Sequence, residues 1–375
     1  MYKTFRFRMY PNDNQIVLMN KTFGCYRFIY NYFLSICKNN GYRCAFDMIK
    51  QLPSLRKEYE WLKEVDSCSL RCAIFNLEDS YKNFFSKRSG VPIYKIKCNK
   101  QSYRTNYISR EYKGKKYSNI ELDIKNNKIK LPKLGLVNIR GYRNLDVING
   151  KIINVTVVKE TTGKYYVNVL YNVIDIIKEK VKPKWVVGID LGVKDLIVTS
   201  SGEKYKNPKE IQKFEKRIKR LQRKLSRQAK SSKNYNKTKI KIAKQYSKLK
   251  NSRKHNIIKI VNKIVKEYDI IISEKLDIKE MMHNNHLSKS ILDASFSKIC
   301  NMLEWKSKIK GKYYYQIDTY FPSSKTCSHC GEKTEITNNL GIRRWECSKC
   351  HSINDRDINA SINIMFEGLK YCFEK

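Results

Sequence analysis

The sequence predicts an α+β multidomain protein: a β-barrel that accepts a helical insertion, followed by an α/β domain carrying a small metal-bound ribbon. Three observations predict it. A strand-like alternation over residues 3–9 is followed by two stretches of helical periodicity, and short strands resume from Val91. Beyond Lys182-Pro183-Lys184, apolar strands alternate with helices, as in an α/β sheet. Further on, Cys327-Ser-His-Cys330 and Cys347-Ser-Lys-Cys350 form two C-x-x-C pairs.

Phe5, Phe7 and Met9 alternate with Arg6 and Arg8, so residues 3–9 read as a strand that Pro11 and Asn12 end. From Gln15, the positions Ile16, Met19, Phe23, Tyr26, Tyr30 and Phe33 recur at three and four, predicting an amphipathic helix. Leu70, Ile74, Leu77, Tyr81 and Phe84 predict a second helix within 67–86, and the segment around Pro53 and Trp61 between them reads as less regular. Among the strands after Val91 the clearest are Leu122 to Lys130, Ile152 to Lys159 and Lys164 to Tyr171. The last two join as a hairpin across Glu160-Thr-Thr-Gly163. With the N-terminal strand they make a barrel. Interleaved Tyr94, Lys95, Lys97, Tyr103, Arg104 and Tyr107 suit nucleic acid, although the same mixture also covers ordinary edge strands.

Trp185 to Gly192 is a buried-type strand ending in Asp190, and Leu196 to Thr199 is another. Phe214, Ile218, Leu221 and Leu225 mark a helix with Lys or Arg over most of its remaining surface. After a polar break near Ser231-Ser232, a second helix carries Ile242, Tyr246 and Leu249. A third, or its continuation, carries Ile257, Val261, Ile264 and Tyr268. Narrow apolar stripes under so much positive charge predict a helical pair laid along a phosphate backbone. Asp269 to Glu274 is a further buried strand, 288–309 reads as one helix, Tyr313 to Tyr320 as a strand, and a final helix begins near Asn359.

The net charge is +42, from 77 Lys plus Arg against 35 Asp plus Glu. Self-repulsion on that scale is relieved by a polyanion, so nucleic acid is the expected partner. Hydrophobic residues at 41% exclude a wholly disordered chain. The first residues lack the apolar core of a signal peptide and no apolar run approaches spanning length, so no membrane partner is expected. An intracellular protein, cytoplasmic or nucleoid-associated, with reduced thiols is the expectation. Eight of the twelve cysteines, Cys25, Cys37, Cys68, Cys72 and Cys98 among them, then read as small core residues.

Two C-x-x-C turns separated by sixteen residues (331–346) supply a tetrahedral thiolate set, so Cys327, Cys330, Cys347 and Cys350 are assigned to a structural zinc. Four protein ligands leave no open position. His329 and His351 lie beside the pairs but read as exposed histidines.

Three acids stand out by position: Asp190 and Glu274 each end an apolar strand, and Asp357 stands where a helix starts. Strand ends and helix starts converge at one edge of an α/β sheet, where ligands bind. Three carboxylates meeting there need cations, and two Mg²⁺ ions about 3.5–4 Å apart would both neutralise them and cleave a phosphodiester. Taken singly, each acid also fits a turn, an exposed loop or a helix cap. Asp195, Asp277 and Asp355 are weaker candidates.

The residues match a known family. Phe7-Arg8-Met-Tyr-Pro11 with Gln15, Gly24 to Asn31 and Lys130-Leu-Pro-Lys-Leu-Gly135 carry the first half of the match. Gly188-Ile-Asp190-Leu-Gly192, Ser273-Glu274-Lys-Leu276, Pro322-Ser-Ser-Lys-Thr-Cys327 and Asp355-Arg-Asp357-Ile-Asn359-Ala carry the second. The chain resembles the TnpB proteins, transposon-encoded RNA-guided DNA endonucleases related to the type V CRISPR effectors. The resemblance implies a wedge β-barrel (1–10 and 91–181) with a helical recognition insertion (11–90). A RuvC-like RNase H fold (182–321 and 353–375) follows, interrupted by a zinc ribbon (322–352). It implies that Asp190, Glu274 and Asp357 are the catalytic acids holding Mg²⁺, with Asp355 and Arg356 in support. Lys275, where an acid is common, and Ser361, where alanine is frequent, depart from the pattern without removing a ligand.

The resemblance further implies a guide RNA in a basic channel, double-stranded target DNA chosen by base pairing, and one copy of the chain per RNA. The alternative is an RNA-guided DNA-binding or RNA-binding regulator that does not cleave. A DNA transposase would need strand transfer, which the resemblance disfavours.

Overall fold

The computed structural model describes all residues except 98–99, 113, 142–149, 174–177, 231, 284, 337–338, 340 and 374–375. Cys98 and Ser231 therefore lie outside the described residues. The chain folds as two compact units, Met1–Asp175 and Ile176–Lys375.

In the first unit, strand β1 (Tyr2–Tyr10) is followed by helices α1 (Asp13–Asn40), α2 (Ala45–Glu58) and α3 (Ser67–Phe85). The strands then resume as β2 (Gln101–Asn106), β3 (Ser109–Tyr112), β4 (Lys115–Ser118), β5 (Glu121–Asp123), β6 (Lys128–Leu131), β7 (Gly135–Arg140), β8 (Gly150–Lys159) and β9 (Tyr165–Val173). Seven of them form an antiparallel sheet in the order β2-β8-β9-β1-β7-β6-β5, while β3 and β4 make a separate hairpin. β1 is thus central, held by β9 on one side and by β7 on the other. Its alternation sends Phe5, Phe7 and Met9 into a core shared with Phe23, Phe33, Val137 and Val167, and leaves Arg6, Arg8 and Tyr10 on the other face.

α1 starts with a capping box: Asn12 Oδ1 accepts from the Gln15 N–H at 2.8 Å, and Gln15 Oε1 accepts from the Asn12 N–H at 3.1 Å. The Gln15 amide also donates to the Leu134 and Leu136 carbonyls, so the helix start is pinned to β7. Two expectations change here. The segment around Pro53 is helical, because Met48, Leu52 and Leu55 bury one face of α2 and outweigh the donor that Pro53 lacks. The single strand expected over 122–130 is the hairpin β5–β6, turned where Asp123 accepts from the Asn126 backbone and Asn127 takes φ 52°.

The second unit contains β10 (Val186–Asp190), β11 (Asp195–Thr199), β12 (Lys204–Lys206), α4 (Glu210–Ser226), α5 (Lys233–Glu267) and β13 (Ile270–Glu274). It continues with α6 (Ile278–Met282), α7 (Asn285–Ala294), α8 (Phe296–Ile309), β14 (Tyr313–Ile317), β15 (Arg344–Glu346), β16 (Ile353–Asp355) and α9 (Arg356–Phe373). Five strands form a mixed sheet in the order β12-β11-β10-β13-β14, with β10, β13 and β14 parallel and β11 pairing antiparallel with both β10 and β12.

Val187, Ile189 and Ile271 pack with Val261, Ile264 and Leu303 of α5 and α8 on one face, and Ile270 and Ile272 pack with Ile364 of α9 on the other. Burial on both faces explains the unbroken Ile-Ile-Ile run of β13. α9 crosses the sheet closely: a Cβ on Gly188 would lie 2.0 Å from the Ser361 carbonyl oxygen, and one on Gly368 would lie 2.3 Å from the Ile272 side chain.

α5 is one continuous helix of 35 residues, so the stretch from Ile257 continues the one that carries Ile242, Tyr246 and Leu249. The helix expected over 288–309 is two, α7 and α8, broken at Ser295 (φ 58°), where Phe296 turns into the core. Among the described residues no helix is long and apolar enough to cross a membrane.

Candidate active site and metal centre

The four ribbon cysteines come together. Their ligand atoms lie within 4.8 Å of one another, with Sγ–Sγ separations of 3.7 Å for Cys327–Cys350 and 3.5 Å for Cys330–Cys347. Tetrahedral zinc with Zn–S near 2.3 Å requires about 3.8 Å between sulfurs, so the set has the right size. Burial works to raise the Cys327 thiol, but the Ser352 hydroxyl and the Cys330 and His329 backbone outweigh it and bring it to about 6, favouring the thiolate that zinc binds. β15 and β16 pair behind the second knuckle. His329 and His351 are exposed, and His351 Nδ1 meets Glu346 at 3.1 Å instead of the sulfurs.

The predicted acids meet at one edge of the five-stranded sheet. β10 and β13 are neighbouring parallel strands, with Ile189 beside Ser273, so Asp190 and Glu274 stand next in register at their C-terminal ends. α9, packed over Gly188, brings Asp357 in its first turn. The Asp190 carboxyl is pushed up to about 8, first by burial and then by the negative charges of Glu274 and Asp357, with Arg356 opposing. Burial also raises Glu274, against a hydrogen bond from the Ser323 hydroxyl to its Oε1.

Asp357 is gripped by Arg343, whose Nη1 donates to both carboxylate oxygens at 2.7 and 2.8 Å. The three acids therefore sense one another without forming a compact oxygen cage. Among the described residues, the cysteine set is the only such group with ligand atoms that close.

The chemistry of this donor set still fits magnesium: it is all oxygen, it is short of positive charge at Asp190, and a guanidinium stands as a cation on Asp357.

The weaker candidates have structural work. Asp355 accepts from the Asp357 and Ile358 N–H groups at 3.2 Å each and pairs with Lys204 at 2.6 Å, so it caps α9. Asp277 caps α6, and Asp195 opens β11. Sequence reasoning assigned no role to Ser323, although it lies in the Pro322-Ser-Ser-Lys motif. Arg343 lies one residue before β15 begins.

Asn359 and Asn363 were also missed as positioning residues. The Asn359 amide donates to the Thr326 carbonyl at 2.7 Å and accepts from the Ser328 N–H at 2.8 Å, while Asn363 donates to the Ser323 and Thr326 carbonyls. They tie α9 to the first cysteine knuckle and to the Ser323 turn.

Comparison with known proteins places these features in context. The family described as "Probable transposase" (OrfB_IS605) matches residues 158–285, and "Cas12f1-like, TNB domain" matches 296–364. A "Helix-turn-helix domain" family matches residues 1–43, which in this structure contain β1 and the single long helix α1.

A Streptomyces pristinaespiralis protein named "Putative RNA-guided DNA endonuclease" is 31% identical over 98% of this chain and 89% of its own length. Escherichia coli InsQ, with the same description, is 28% identical over 98% of this chain and 92% of its own length. The protein in a solved Cas12f1–sgRNA–target DNA complex aligns with TM-score 0.59 at 14% identity, covering 97% of this chain and 98% of that one, a likeness of fold. On its near full-length match to the Streptomyces protein, this chain belongs to the TnpB family.

Proposed function

We propose that the chain is an RNA-guided DNA endonuclease of a transposable element, hydrolysing target DNA at the edge of the five-stranded sheet. The observation that carries this reading is the convergence of Asp190, Glu274 and Asp357, from three distant segments, on one electrostatic centre. In this reading the seven-stranded sheet is the wedge barrel (1–10 and 91–181), and α1–α3 are the recognition insertion (11–90). The second unit is a RuvC-like fold (182–321 and 353–375) with its zinc ribbon at 322–352. The sheet order β12-β11-β10-β13-β14, with only β11 running against the other four strands, supports that assignment.

Asp190, Glu274 and Asp357 would hold two Mg²⁺ ions. Bound there, the ions supply an activated water and stabilise the leaving oxygen of a phosphodiester. Ser323 orients Glu274 by donating to it. Arg343 holds the Asp357 carboxylate in place by donating to both of its oxygens. Lys204 and Asp355 fix the first turn of α9 and so the approach of Asp357.

The partners are a guide RNA and a double-stranded DNA target, with one chain per RNA. The cationic surfaces of α4 and α5, dense in Lys and Arg with few offsetting acids, support a backbone-binding role.

The test is to co-express the full chain with the DNA flanking its reading frame, sequence the copurifying RNA, and offer a matched duplex library with Mg²⁺. Cleavage that follows the RNA sequence and disappears in Asp190→Ala, with RNA retained, is the expected result. Retained RNA without cleavage in the wild type would replace this reading with the non-cleaving regulator.

A further inference from the structure

The outer face of the first unit's sheet carries a feature that phosphodiester cleavage does not use. Along β1, Arg6, Arg8 and Tyr10 face away from the core, and β9 sets Tyr166 opposite Arg8. The Arg6 guanidinium carbon lies 3.9 Å from the Tyr166 ring centre, and that of Arg8 lies 5.2 Å from Tyr166 and 5.4 Å from Tyr10. Cations and rings thus alternate along the strand. Arg6 has an acid, Glu160, at 2.6 Å. Arg8 has none among the described residues, and its Nη1 is buried without a hydrogen-bond partner. An orphaned charged donor of this kind asks for an acceptor.

At the Tyr10 end the ladder opens into a cavity of about 370 Å³ lined by Tyr10, Asn127, Asn138, Ile139 and Arg140. The register explains the grouping: Tyr10 stands across from Asn138, and Arg8 across from Arg140. The Tyr10 ring is 50% exposed. Neither the amides of Asn127 and Asn138 nor the Arg140 guanidinium has a side-chain partner among the described residues.

The chemistry of these residues is that of a nucleotide site: a ring for the face of a base, two amides for its edge, and two guanidinium groups for the phosphate. A base in a duplex presents only its groove edge and hides its face in the stack. Unpaired bases of a folded RNA offer both, and sheet surfaces bearing aromatics and arginines take them up by stacking. We propose that the Tyr10–Asn138–Arg140 cavity, continued by Arg8 and Tyr166, binds an unpaired nucleotide of the guide RNA, with the base against Tyr10 and its phosphate on Arg8 and Arg140. The inference rests on the RNA-guided reading above.

It is tested on the full chain purified with its co-expressed RNA. Short-wave ultraviolet crosslinking followed by peptide mass spectrometry should place an RNA adduct on the peptide containing Tyr10 or Asn138. Stripped of RNA and retitrated, Tyr10→Ala should bind the same RNA roughly tenfold more weakly and Tyr10→Phe as well as wild type, since stacking needs the ring and not the hydroxyl. Arg140→Ala should lower the slope of log affinity against log salt by about one. Unchanged melting temperatures would confirm that these surface variants fold.

Copurified RNA that crosslinks only elsewhere, with wild-type affinity and slope in all three variants, overturns the site but leaves the RNA-guided reading intact. Adducts that form at Tyr10 only on adding target DNA assign the cavity to DNA and overturn it equally. Absence of any specific copurifying RNA sinks the RNA-guided reading first, and this inference with it.

Discussion

Asp190 sits in an environment that disfavours its own charge. Its carboxyl sits near 8 against an ordinary 3.8, because it is buried beside two other acids. The folded chain therefore keeps a proton there that the unfolded chain releases above about pH 4. A raised carboxyl is linked to stability that is present at low pH and lost as pH climbs from about 4 to 8, by at most about 1.4 kcal/mol per pH unit. In Mg²⁺-free buffer, Asp190→Asn should accordingly flatten part of the decline in melting temperature between pH 5 and pH 8. An identical pH profile for the two proteins would contradict the electrostatic cluster. The three acids were legible in the sequence because each ends an apolar strand or starts a helix. Ser323 and Arg343 were not: one of two serines between Pro322 and Lys325 and one of two adjacent arginines look alike in many roles. Their partners, Glu274 and Asp357, are 49 and 14 residues away.

Helix α9 governs the site as an element, since it carries Asp357 and lies against β10 with no room to spare. Gly188→Ala would drive a methyl group into the Ser361 backbone and should cost about 1–3 kcal/mol, read as a lower urea midpoint. Because the relief comes from lifting α9, cleavage should fall more than stability does. Asn359, 1% exposed, couples the same helix to the zinc knuckle. Asn359→Ala leaves the part-buried Ser328 N–H unpaired, at a cost of about 1–3 kcal/mol, while the Thr326 carbonyl keeps its bond from Asn363. Faster loss of zinc to a chelator is expected, and an unchanged rate would show that the knuckle holds without the helix. Most elements were readable from periodicity, and β13 stood out by its isoleucines. The exceptions share a cause. Pro53 argues locally against a helix that Met48, Leu52 and Leu55 enforce through tertiary packing, while Ser295 gives no local sign of the left-handed turn that admits Phe296.

Across the whole molecule, charge is the term that no internal contact balances: +42 remains after every acid is counted. RNA that binds only the folded state should raise the melting temperature by mass action, and the increment should shrink as salt rises. Equal melting temperatures with and without RNA would contradict that account. Composition disclosed the polyanion but not where it lies, because lysines spread over α4, α5 and the first unit's sheet look the same in sequence. The placement of α9 has one further bearing, on biosynthesis. A ribosome delivers Asp190 and Glu274 long before Asp357, and the second face of the five-stranded sheet stays uncovered until α9 emerges. In the proposed reading, the three-acid site therefore stays incomplete throughout translation of the first 355 residues. A nonsense or frameshift product ending before Arg356 would keep the first unit's own core but lack α9 and Asp357, and so, in the proposed reading, could not cleave.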